Sequence, residues 1–237
     1  MRRSHFTIPF GGIFLCLTLL TGCSQKFQDV NDTAKLALFG DDDTQLTAQA
    51  INQLPYASMY ASIGDGPQAF MVLAFAEQDI IVSAQNSTND RTAPLLKWLS
   101  ADRGLIVTQA GRITKTASLS QGNLVATTSA TMDPLALGLH QDSTPKTWTR
   151  TLDWQPGYHF GYTVNSTFSN GSEQVIVVNE HPVQSLYFTE EVNVPSLEQS
   201  YQNEFWLNPK TGAVIKSRQQ LAPGLPVVEF SILKPFS

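Results

Sequence analysis

Glu190 and Glu191 are an adjacent acidic pair late in the chain, and paired carboxylates are the groups that serve as acid and base in glycoside hydrolysis. Neighbours on a strand point to opposite faces, so these two cannot act together; one exposed carboxylate and one held by hydrogen bonds are expected. His140, His159 and His181 share no helical spacing with one another and no Glu-x-x-His run, so no metal site is expected. Gly64-Asp65-Gly66-Pro67-Gln68-Ala69 fits the loose dinucleotide fingerprint. Pro67 and the apolar run behind it nevertheless stand where a helix N-terminus would have to hold a pyrophosphate, and a plain turn is expected. No Gly-x-Ser-x-Gly elbow is present. Asp102-Arg103 falls at a turn, where it forms a local ion pair or contacts a ligand, the ion pair being the favoured expectation. Trp98, Trp148, Trp154 and Trp206, with Tyr158, Tyr162 and Tyr201, supply rings on which the apolar face of a sugar could stack. The same rings serve equally well as core. No catalytic residue, cofactor or enzymatic activity is expected from these sets.

The strongest local signal lies at the N-terminus. Arg2 and Arg3 precede an apolar run over residues 10–20, which is too short for the ~20 residues of a membrane-spanning helix but fits the core of a secretory signal. The run ends in Leu20-Thr21-Gly22-Cys23, which resembles the lipobox of bacterial lipoproteins, whose cysteine is acylated after cleavage. Cys16 is lost with the leader and Cys23 carries lipid, so no cysteine is left for a disulfide or a nucleophile. Two or more acyl chains anchor stably where one does not. Ser24 after the cysteine, in place of Asp, resembles the rule that sorts lipoproteins to the outer membrane. Fifteen basic and twenty acidic residues give −5, and losing Arg2 and Arg3 takes the mature chain to −7, the wrong sign for a nucleic-acid partner.

The organisation follows as a signal peptide (1–22), a lipid-anchored tether (23–45) and one domain (46–237). A short amphipathic helix is expected over 27–38 and another over 47–54, ended by Pro55. Beyond Pro55 the signals turn to β. Strands are expected at 56–63, at 69–76 as an apolar run buried on both faces, at 80–84, and, after a polar loop at 85–94, at 95–100, 105–108 and 112–117. The stretch 118–146 is the least regular. Strands at 158–168 and 173–178 are expected to form a hairpin about Asn170-Gly171, followed by strands at 184–192, 204–207 and 213–221. The last strand, 227–233, puts Val228, Phe230 and Ile232 on one face. The fold expected is mainly β, about ten to twelve largely antiparallel strands curled into a barrel, half-barrel or sandwich. The strands lack the lipid-facing alternation and aromatic girdles of a membrane-spanning barrel.

Several segments share a pattern in the same order: Leu54-Pro55-Tyr56-Ala57-Ser58-Met59-Tyr60, Gly66-Pro67-Gln68-Ala69-Phe70, Lys97-Trp98-Leu99-Ser100-Ala101-Asp102-Arg103-Gly104, Trp148-Thr149-Arg150, Asp153-Trp154, Phe205-Trp206-Leu207 and Ile232-Leu233-Lys234-Pro235. In combination over residues 46–235 they resemble the YjbF/GfcB family of exopolysaccharide and group 4 capsule lipoproteins. Between Glu77 and Lys97 the chain is longer than that pattern, which puts the local hairpin in question. The resemblance implies an outer-membrane lipoprotein, facing the periplasm, that assists polymer assembly and export without catalysis. Its expected partners are the membrane through Cys23 and a polysaccharide export porin or the polymer itself, touched through Trp98, Asp102, Arg103, Trp148, Trp154 and Trp206. An alternative is a lipid or lipoprotein carrier. Phe205 to Gly212, as strand-turn-strand on a curved sheet, is similar to lipoprotein-localisation factors, which hold acyl chains on a concave apolar face.

Overall fold

The computed structural model describes residues 45–78 and 93–236. The leader, Cys23, the tether to residue 44, the strand expected at 80–84 and the loop over 85–92 lie outside the described residues. Helix α1 (Ala48–Gln53) starts at Thr47, whose Oγ1 accepts from the Ala50 amide at 3.2 Å and satisfies one of the free donors of the first turn. It buries Ile51. Lys234 Nζ donates to the carbonyls of Leu54 (2.5 Å) and Asn52 (3.4 Å), tying the end of α1 to the last strand.

Among the described residues thirteen strands follow, all paired antiparallel: β1 (Ser58–Ile63), β2 (Ala69–Glu77), β3 (Leu95–Leu99), β4 (Leu105–Gln109), β5 (Arg112–Ala117), β6 (Asn123–Thr128), β7 (Thr147–Gln155), β8 (His159–Phe168), β9 (Ser172–Val178), β10 (His181–Val194), β11 (Gln199–Leu207), β12 (Val214–Gln220) and β13 (Val227–Lys234). A four-residue helix, α2 (Pro134–Leu137), interrupts the series. The sheet runs β5-β4-β3-β2-β1-β13-β12-β11-β10-β8-β7-β6, so first and last strands pair at its centre. Its ends, β5 and β6, are joined by a short turn, and the Leu124 amide donates to Thr116 Oγ1 at 2.9 Å. The result is a nearly closed barrel. Strands β2 and β3 pair as far as Glu77 with Leu95.

Three expectations change. Strand β2 is not buried on both faces: Ala74, Phe75 and Ala76 are exposed. The stretch read as irregular contains β6. The hairpin about Asn170-Gly171 does not form. Strands β8 and β9 run in the same direction along one edge of β10, Glu190 pairing with Phe168 and Tyr187 with Ser172, and residues 169–171 bridge them. Gly171 is needed there because a Cβ would lie 2.5 Å from the buried Phe188 ring. The tight turn comes eight residues later, at Asn179 (φ 46°) and Glu180 (φ 67°), which join β9 to β10.

The barrel interior is filled. One apolar cluster holds Met59, Met71, Trp98, Ile106, Leu152, Trp154, Val164, Val192 and Phe230 among others. A second holds Leu135, Leu139, Trp148, Phe168, Phe188, Phe205 and Leu207. Four strands pass from the second to the first through a polar residue that faces inward: Trp148-x-Arg150-x-Leu152, Phe168-x-Ser166-x-Val164, Phe188-x-Glu190-x-Val192 and Phe205-x-Asn203-x-Tyr201. A polar layer therefore crosses the barrel between its two apolar ends.

Candidate functional site

At the centre of that layer is Glu190, wholly buried on β10. Its Oε2 accepts from Arg112 Nη1 (2.5 Å) and Asn203 Nδ2 (2.9 Å), and its Oε1 from Arg150 Nη1 (3.0 Å). Arg112 Nε also donates to Asp133 Oδ2 at 2.7 Å, and Arg150 Nη1 to Ser166 Oγ at 2.6 Å. Two cations thus meet two carboxylates, and the layer is neutral, as burial demands. Burial alone would push the Glu190 carboxyl up; the guanidiniums of Arg112 and Arg150 outweigh it and hold the group well below the usual carboxylate range. The guanidinium of Arg112 lies 5.2 Å from the Trp148 ring and 5.0 Å from Phe205, and that of Arg150 lies 4.6 Å from Trp148. Asp133 also caps α2, its Oδ1 accepting from the Leu135 amide at 2.9 Å, so the layer locks the chain segment that carries Leu135 and Leu139 onto the rings. Glu191 is exposed, which matches the expected split of the pair. The void beside the layer measures about 10 Å³, no more than the space of one water and far below that of an acyl chain.

The residues singled out in the sequence fall in three places. Trp98 (1% exposed) donates from Nε1 to Thr108 Oγ1 at 2.9 Å, Trp154 (2%) stacks on His159 at 4.5 Å and 5°, and Trp148 is buried on the charged layer. These three present no ring to a polymer, because each is enclosed by core side chains. Trp206 is half-buried on the outer face, its Nε1 donating to Gln174 Oε1 at 2.6 Å, with the Tyr187 ring at 5.2 Å and Lys216 Nζ at 5.4 Å. Asp102 and Arg103 are exposed at the β3–β4 turn, but the expected ion pair is absent from those of the described residues. Asp102 instead accepts from the Ser100 hydroxyl and the Gly104 amide, closing the turn on itself. Tyr201 is buried in the first cluster, and burial pushes its hydroxyl up to about 12.

Tyr158 and Tyr162 are different. With Phe160, Gly161, Thr163, Pro195 and Ser196 they line a surface depression of about 600 Å³. Tyr158 is 94% exposed and Phe160 58%. The wall is set on the core: Tyr162 lies 4.6 Å from Trp154, and the Gly161 amide donates to Asp153 Oδ1 at 2.7 Å across the β7–β8 pair. Gly161 has φ +71°, a left-handed conformation that lets the chain turn between the two rings. Opposite, the 3₁₀ turn Pro195–Leu197 follows β10. Phe160 and the Pro195-Ser196 side were missed in the sequence, since nothing in residue order brings the end of β10 to the start of β8. Among the described residues no group of three His, Cys, Asp or Glu is placed to hold a metal ion, and no helix is long and apolar enough to cross a membrane.

Comparison with known proteins gives one family from its model and from two relatives, and a similar fold from a solved structure. The family described as "Group 4 capsule polysaccharide lipoprotein gfcB, YjbF" matches residues 31–233, beginning upstream of the resemblance noted at residue 46. The chain is 35% identical over 219 residues to the Escherichia coli K12 protein named uncharacterized lipoprotein GfcB, covering 91% of this chain and 94% of that one. It is 32% identical over 225 residues to uncharacterized lipoprotein YjbF of the same organism, covering 94% and 95%. The crystal structure of the hypothetical lipoprotein YmcC from E. coli K12 superposes with a TM-score of 0.69 at 34% identity, covering 87% of this chain and 96% of that one. The β-rich barrel, the shared motifs and these relatives agree: the chain belongs to the YjbF family of group 4 capsule polysaccharide lipoproteins.

Proposed function

We propose that this protein is an outer-membrane lipoprotein, anchored through acylated Cys23 and facing the periplasm, that assists the assembly and export of an exopolysaccharide or capsule without catalysing a reaction. Family membership carries the reading, because the family description joins a lipoprotein to a capsule polysaccharide. The lipobox Leu20-Thr21-Gly22-Cys23 supports the anchor, and Ser24 supports sorting to the outer membrane. The partner is a polysaccharide export porin or the polymer. The filled interior favours this over carriage of acyl chains, which needs an open apolar concavity; here a charged layer crosses the barrel instead. Deleting the gene and measuring surface and periplasmic polysaccharide separately tests the proposal. Surface polymer should fall while the periplasmic fraction rises. Unchanged amounts in both fractions would overturn it.

A further inference from the structure

We infer that the depression beneath Tyr158 and Phe160 is a saccharide-binding site that takes sugar rings of an uncharged stretch of polymer against these two side chains; the inference rests on the export reading above. Four described aromatic rings are exposed, Phe75, Tyr158, Phe160 and Phe236, and of these Tyr158 (94%) and Phe160 (58%) stand together in the lining of the depression. Burying such surface is favourable, and a monomer that leaves it bare at a concave site has it available for a ligand. The chemistry of the lining selects among ligands. The C–H face of a pyranose carries partial positive charge and packs on the negative face of an aromatic ring. Its hydroxyl edge needs short polar partners, and Thr163 and Ser196 stand in the same wall.

Charge excludes the main competitor. The residues that line the depression, Tyr158, Phe160 to Thr163, Pro195 and Ser196, include no Lys or Arg. An anionic membrane surface or a phosphate group would meet no cation in that lining. The site is also set in place before any ligand arrives, because the Trp154–His159 stack and the Gly161–Asp153 bond hold the β7–β8 end against the core.

Affinity electrophoresis tests the site. The acylated full-length protein, purified in detergent, is run through gels cast with capsular polysaccharide isolated from the producing cells. The native protein should be retarded, and Tyr158→Ala/Phe160→Ala should weaken the apparent affinity by about tenfold or more, from the loss of two stacking rings. Tyr158→Phe, which keeps the ring, should stay within about twofold of native, and Val175→Ala/Val177→Ala on the exposed face of β9 should not change it. Both deleted side chains are largely in solvent; if the double variant misfolds by circular dichroism, Tyr158→Ala alone serves. Equal retardation of the double variant, no retardation of the native protein, or a matching loss in the β9 variant would each overturn the site. So would a double variant that keeps polymer binding but loses partition onto phosphatidylglycerol vesicles, which would reassign the rings to a membrane. A deletion strain with a polymer defect that the double variant complements fully would remove the site and leave the export reading standing. A deletion strain with no defect would remove the export reading itself.

Discussion

Changing Glu190 to Gln would remove the one anion shared by two buried guanidiniums. Arg112 would keep the Asp133 carboxylate at 2.7 Å, but Arg150 would be left with neutral partners alone, the amide that replaces the Glu190 carboxylate, the Ser166 hydroxyl and the face of Trp148. With Arg150 4% exposed, bulk water does not reach the guanidinium to replace the lost charge, and breaking a buried pair this way costs roughly 3–5 kcal/mol. For a domain of this size each kcal/mol moves Tm by roughly 2–4 °C, so the melting temperature should fall by roughly 6–20 °C. Urea unfolding followed by circular dichroism gives the free energy, and a second variant separates lost charge from lost shape. Adding Arg150→Met to Glu190→Gln removes the stranded cation and fills its volume, so the pair should be more stable than Glu190→Gln alone by at least about 1 kcal/mol. A cost below about 1 kcal/mol for Glu190→Gln, or a double variant no better than the single, would refute the reading of the layer as a mutually dependent ion cluster.

Acid should unfold the protein over a defined window. The Glu190 carboxyl is depressed to about 2, so its stabilisation is complete above the ordinary value near 4.3 and is lost as pH falls toward 2, about 3 kcal/mol in all; a urea midpoint flat between pH 4 and pH 2 would contradict this. At the alkaline end Tyr201 is raised to about 12 by burial, so stability should fall as pH rises from about 10 to 12, and Tyr201→Phe should remove part of that fall. Gly171→Ala would drive a Cβ to 2.5 Å from Phe188 at an ordinary φ, a purely steric insult that should cost roughly 1–3 kcal/mol in chemical unfolding. Glu180→Gly should instead stabilise by about 0.5–1 kcal/mol, because Glu180 holds φ 67° at the second position of the β9–β10 turn; no gain would mean that the side chain contributes elsewhere.

Much of the barrel was legible because period-two alternation and turn residues act locally. The Val228, Phe230, Ile232 stripe lies inward on β13, Thr47 and Pro55 bracket α1, and Ala110-Gly111 (φ 48° and 85°) makes the β4–β5 turn. What failed was pairing that local signals cannot fix. Asn170-Gly171 has hairpin composition, but the register is set by β10, whose fourteen residues outlast either neighbour and pair with both β8 and β9. Strand β6 was missed because its partner β7 lies beyond α2 and its own apolar content is low. Trp98, Trp148 and Trp154 point inward for the reason that made them candidates, since large rings fill a barrel best, and Trp206 alone of the four lies on the outer face. The charged layer had a signal that went unread, a polar residue breaking the inward alternation in four strands between an aromatic and a core side chain, at Arg150, Ser166, Glu190 and Asn203. The surface depression had only half of one, since Tyr158 and Tyr162 are local to β8 and Pro195-Ser196 reach it through the fold.

The claim that this lipoprotein serves polymer export from the membrane is tested most directly by complementing the deletion strain with the native gene and with Cys23→Ala, then measuring surface and periplasmic polysaccharide in each. Restoration of surface polymer by the acylated form and its absence with Cys23→Ala is the expected result. Equal restoration by both forms, or surface polymer that never fell on deletion, would contradict it.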